Sequence, residues 1–125
     1  MGLELTKNES FNPIRKPAHH FREASVAEQN RMIVENRAYG RIICRCEGVS
    51  EGEIREAIRT NPPARDLDGV KRRTRAQMGR CQGGFCMPYI TEILSEELGV
   101  PYDSITKNGG SSKLMTGKTK EGCGI

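Results

Sequence analysis

The sequence contains no tryptophan, and its 125 residues include only three phenylalanines and three tyrosines. Hydrophobic residues make up 35%, so the chain can bury one modest core, and a metal centre is a natural source of added stability. No run of about 18 apolar residues occurs, which argues against a transmembrane segment. Met1-Gly2-Leu3-Glu4-Leu5 lacks the basic-then-apolar layout of a secretory signal. The expectation is a soluble, cytoplasmic protein. No Gly-x-Gly-x-x-Gly fingerprint is present, so dinucleotide binding by that device is not expected of these residues.

What the sequence does have is five cysteines. In a reducing compartment they read as metal ligands or free thiols rather than a disulfide framework, and the odd count points the same way. The net charge is +4, much of it from Lys71-Arg72-Arg73-Thr74-Arg75 and Arg80. Such a run is ordinarily a solvated helix face. No zinc-finger, recognition-helix or aromatic stacking pattern accompanies it, so no nucleic acid is expected as partner. An anionic centre nearby is the better explanation.

Residues 1 to about 24 are polar and irregular, with the His19-His20 pair read as surface or packing side chains. Ser25 and Glu28 form a capping box for a short helix to about Asn36, with Val26, Met32 and Ile33 on its apolar face, and Gly40 ends that element. Ile42 to Cys46 reads as extended chain, which places the Cys44 and Cys46 thiols on one side and Arg45 on the other. Ser50 and Glu53 form a second capping box, opening a helix that carries Ile54, Ala57 and Ile58 and stops at Asn61-Pro62-Pro63. Its free amides are expected to face the cysteines.

A third helix starts acidic at Asp66-Leu67-Asp68, turns Leu67, Val70 and Met78 inward, and ends near Gly79. Arg80-Cys81-Gln82-Gly83-Gly84-Phe85-Cys86 is a glycine-bearing loop through which backbone can approach a bulky ligand. Pro88 then opens a fourth helix with an apolar stripe of Ile90, Ile93, Leu94 and Leu98, closed by Gly99. From Lys107 onward the chain looks like a flexible tail, with Cys123 a free thiol inside it.

The cysteines form Cys-x-Cys, a spacer of 34 residues, and Cys-x4-Cys: Cys44, Cys46, Cys81 and Cys86. Two thiolates within about 4 Å can share a tetrahedral iron or zinc, and both local pairs permit that approach. Four thiolates suit an iron–sulfur cluster or structural zinc. Arg45, Arg80 and two helix N-termini are available to balance the cluster's negative charge. The Cys-x-x-Cys signature of a redox thiol pair is absent.

Gly40-Arg41-Ile42-Ile43-Cys44-Arg45-Cys46-Glu47, Ser50-Glu51-Gly52-Glu53-Ile54 and Gly79-Arg80-Cys81-Gln82-Gly83-Gly84-Phe85-Cys86 together resemble the bacterioferritin-associated-ferredoxin-like (BFD-like) [2Fe–2S] domain. The resemblance implies a mainly α, small helix-turn-helix domain over residues 39–105, with an irregular N-terminal extension and a flexible tail over 106–125. It implies one [2Fe–2S] cluster on Cys44, Cys46, Cys81 and Cys86, with zinc as a possible substitute. The wider spacing of the second pair departs from compact bacterioferritin-associated ferredoxins, which argues against an iron-storage partner.

The stretch from Lys71 through Gln82 looks like the version fused behind FAD-dependent oxidoreductases of the anaerobic glycerol-3-phosphate dehydrogenase type. Gly2 to Leu5 and Phe11 to Arg15 resemble the end of the FAD-dependent domain of those enzymes, making residues 1–38 a connecting segment. The implied function is electron relay from flavin to an acceptor, with FAD in a missing upstream domain and no catalytic residue in this chain. Implied partners are that domain and an electron acceptor or partner subunit; any membrane contact would be peripheral, through the larger enzyme. The alternatives are a structural zinc docking module, or the cluster domain of a related amine or hydroxy-acid flavoenzyme.

Overall fold

The computed structural model describes residues 6–14 and 20–117. The expectations for His19, for Cys123 and for the lysine- and glycine-rich end of the chain lie outside those residues.

Four helices and one short hairpin make a mainly α domain: α1 Val26–Glu35, β1 Ile42–Cys44, β2 Val49–Ser50, α2 Glu51–Arg59, α3 Leu67–Thr74 and α4 Met87–Leu98. Both expected capping boxes form. Ser25 accepts from the Glu28 amide and Ser50 from the Glu53 amide, while each glutamate reaches back to its serine. These reciprocal bonds satisfy amides that have no partner inside the helix, which fixes where α1 and α2 begin.

The core lies between α2, α3 and α4. Ile54 and Ile58 of α2, Leu67 and Val70 of α3, and Ile90, Ile93 and Leu94 of α4 are buried together with Ile43, Val49 and Ile105. Burying such side chains is worth about 1.5–3 kcal/mol each before chain entropy is charged against it. The same cluster takes in Cys44 and Cys86, so the packed interior runs up to two of the four thiols. At the other end of α4, Gly99 closes the helix in the left-handed conformation, as its position predicts.

α2 and α4 are clasped on their outer side by charge. Arg55 reaches Glu51, Glu96 and Glu97; Arg59 pairs with Glu97, and Arg41 with Glu51. No helix among the described residues is long and apolar enough to cross a membrane.

Several boundaries differ from expectation. α1 ends at Glu35 with Asn36 as its C-cap, as expected, but Gly40 closes a separate 3-10 turn, Arg37–Gly40, which forms because the Asn36 side chain caps the Ala38 amide. Val26 of α1 is exposed and none of the helix is fully buried. α3 ends at Thr74, not near Gly79, because Arg75 adopts a left-handed conformation at φ 65°. Ala76 and Gln77, rather than Met78, then turn inward.

Order also continues beyond the expected boundary at 105. The Leu67 and Asp68 amides donate to the Thr106 and Lys107 carbonyls, Lys107 pairs with Asp68 at 2.8 Å, and Thr106 bridges Lys113. On the N-terminal side, Phe21 donates its amide to Glu53 and stacks on Tyr39.

Candidate metal centre

Cys44 closes β1 opposite Val49 in the hairpin register, and its side chain is 1% exposed. The chain then leaves the strand through a turn over residues 45–48, where Gly48 takes a φ of 65°. Cys46 sits in that turn and is exposed. The expected extended run from Ile42 to Cys46 is therefore broken after Cys44, and the two thiols differ sharply in burial.

Across from the hairpin, the loop before α4 carries Cys81 and ends at Cys86, the N-cap residue of the helix, also 1% exposed. The sulfurs of Cys46 and Cys81 stand 3.7 Å apart. Cys86 interacts in turn with Cys44. Contacts thus run between hairpin and loop, Cys46 with the half-buried Cys81 on the outer side and Cys44 with Cys86 in the buried interior.

Glycines make that approach possible. A Cβ on Gly79 would collide with the Cβ of Cys46, and one on Gly84 would press the Cys81 carbonyl at 3.2 Å. The backbone amides of Phe85, Gly83 and Gly84 point at the Cys81 sulfur and, with the neighbouring Cys46, hold that thiol below its ordinary pKa. Burial pushes Cys86 up to about 12, and the adjacent Cys44 adds to the rise, while the Gln77 amide works against it. Amides aimed at sulfur stabilise thiolate, the form that binds metal.

The donor set is all sulfur. Among the described residues, no three His, Cys, Asp or Glu side chains converge closely enough to hold a single ion. One tetrahedral zinc draws four ligands to one point, whereas two irons bridged by sulfide take two thiolates each. Two separate cysteine pairs fit the second arrangement.

Comparison with known proteins bears on the same residues. Residues 42–96 match the family described as BFD-like [2Fe-2S] binding domain. That stretch of the chain is a BFD-like domain. The chain is 50% identical over 120 residues to glycerol 3-phosphate dehydrogenase of Caloramator mitchellensis, covering 96% of this chain and 25% of that protein. Hydrogen cyanide synthase subunit HcnB of Pseudomonas aeruginosa is 43% identical over 58 residues, 46% of this chain and 12% of that protein. An opine oxidase subunit of Rhizobium meliloti is 43% identical over 56 residues, 45% of this chain and 10% of that protein. The chain thus spans at most about a quarter of these relatives. No solved structure matches it significantly.

Within the BFD-like domain the electrostatics differ from expectation. The N-terminal amides of α2 do not serve the cysteines: the Glu51 amide donates to the Arg41 carbonyl, and that of Glu53 to Ser50. The basic run is also turned elsewhere. Arg73 binds the Gly69 and Pro62 carbonyls, Arg72 binds Asn108, and Arg75 binds Glu47. Arg45 and Arg80 are exposed beside the cysteines they adjoin in sequence.

Sequence reasoning missed Gln77. It is buried at a φ of 73°, donates its side-chain amide to the Leu67 carbonyl and its backbone amide to Cys86. A glutamine carries no mark of left-handed backbone, so nothing in the sequence singled it out.

Proposed function

We propose that Cys44, Cys46, Cys81 and Cys86 hold one [2Fe–2S] cluster, and that the BFD-like domain is an electron relay within a larger FAD-dependent oxidoreductase of the glycerol-3-phosphate dehydrogenase type. The observation that carries the ligand assignment is the crossed arrangement of thiols, Cys46 with Cys81 at 3.7 Å and Cys44 with Cys86. When bound, the cluster supplies one-electron storage. The chain's own part is to fix four sulfurs, shield the inner pair in the core and set backbone amides against the charge they carry.

Support for the parent chemistry comes from the reach of the similarity. The match to glycerol 3-phosphate dehydrogenase runs through 96% of the chain, whereas those to the hydrogen cyanide synthase and opine oxidase subunits cover under half. The shorter matches favour a redox module shared among several chemistries, and the longer one favours glycerol 3-phosphate as the substrate of the whole enzyme. Flavin and substrate both belong to regions outside these 125 residues.

Anaerobically reconstituted protein tests the reading. About two irons and two sulfides per chain, visible sulfur-to-iron absorption and a paramagnetic signal on reduction are the expected results. One zinc per chain under the same conditions, with iron refused, would overturn it.

A further inference from the structure

All four cysteines line a depression of about 730 Å³ on the surface of the BFD-like domain, the outer pair toward solvent and the buried Cys44 and Cys86 at its base. Its walls come from the hairpin, the cysteine loop and the first turn of α4, and include Arg41 and Arg45 but no carboxylate. Large apolar side chains stand unburied on its rim. Phe85, between Cys81 and Cys86, is 80% exposed; Tyr89 is 49% exposed and Ile42 39%. The Arg41 guanidinium lies 5.9 Å from the centre of the Tyr89 ring, holding that ring in place.

A molecule with little aromatic mass to spend leaves its most exposed phenylalanine beside its candidate redox centre. A small exposed apolar centre flanked by arginine is the composition of a transient protein interface, with aromatic and arginine side chains as its anchors. Among the described residues, Arg45 makes no ion pair, and neither does Arg80. The uncompensated positive charge disfavours a second copy of this chain seated face to face. It favours a partner whose own face is acidic.

We infer that this rim is the docking face for the acidic surface of a flavin-carrying domain or subunit, with Phe85 as the central anchor and Arg45 as the steering charge. The inference rests on the electron-relay reading above and names the surface through which the relay is made. Docking here sets the flavin against the outer edge, where Cys46 is exposed and Cys81 half-buried, instead of the buried Cys44–Cys86 edge. Electrons then enter at the outer pair.

Stopped-flow kinetics on the cluster-loaded full chain provide the test, with wild type, Arg45→Glu and Phe85→Ser compared. Iron content and the reduced paramagnetic spectrum of each are measured first with dithionite; a chain that holds no reducible cluster defeats the relay reading itself. Acidic flavodoxin hydroquinone is the donor, and basic cytochrome c, oxidising the reduced cluster, is the opposite-charge control. The expected result is a flavodoxin rate that falls with added salt and drops about tenfold in both variants, while Arg45→Glu accelerates cytochrome c. With the cluster intact, flavodoxin rates within about twofold of wild type in both variants would overturn the docking proposal alone. So would a single-stranded oligonucleotide bound more tightly than flavodoxin and released by the same two substitutions.

Discussion

Gly79 holds the site open by having no side chain, because the position its Cβ would occupy is already filled by Cys46. Gly79→Ala is expected to cost about 1–3 kcal/mol by overpacking and to push the outer pair apart. Iron content after anaerobic reconstitution, read alongside a thermal melt, checks both effects. Substitution of the thiols should grade with burial: Cys44→Ser and Cys86→Ser place a hydroxyl in the core and abolish reconstitution, whereas Cys46→Ser retains a folded chain with an altered visible spectrum. Cys44 and Cys46 were legible in the sequence as candidate ligands, but not their difference. An alternating pattern places both on one face only while the chain stays extended, and the turn from residue 45 breaks that condition. The crossed pairing was illegible for the same reason, since it depends on how hairpin and loop meet.

Element ends followed local chemistry wherever a side chain announced them. Serine and glutamate three apart gave both capping boxes, and Pro88 and Gly99 bracketed α4. The end of α3 was misjudged because a left-handed arginine and a left-handed glutamine carry no such announcement. Between elements, Glu97 is the hub of the α2–α4 clasp, bound by Arg55 at 2.6 Å and Arg59 at 2.7 Å. The Arg59 guanidinium, its strongest partner, holds the carboxyl below its ordinary value of 4.5, with Arg55 adding to the effect. Because folding lowers this pKa, the clasp is at full strength above pH 4.5 and is lost as pH falls through the folded value. Glu97→Gln should therefore cost about 1–2 kcal/mol at neutral pH. Denaturant titrations from pH 7 down to pH 3 should show the gap between variant and wild type closing as the medium becomes acidic.

At the scale of the molecule, the domain is larger than its cysteine motif. Ile105 is 3% exposed within the core, and the chain just beyond it supplies the carbonyls that receive the first amides of α3. Ile105→Ala is expected to cost about 2–5 kcal/mol, measured by urea unfolding, although it stands far in sequence from every cysteine. Serine, glycine and lysine after residue 106 read as a tail because composition reports average solvation and not the few backbone bonds that anchor a segment.

The crossed pairs have one more consequence, concerning assembly. The hairpin supplies one thiol to each pair and the loop before α4 supplies the other, 35 positions away in the case of Cys46 and Cys81. On the proposed assignment neither half of the chain would own all the ligands, so a cluster held this way would be a clasp that closes only after the halves have met. Loading and folding then become one equilibrium: two fragments cut between α2 and α3 should each refuse iron, and should acquire it, and each other, when mixed.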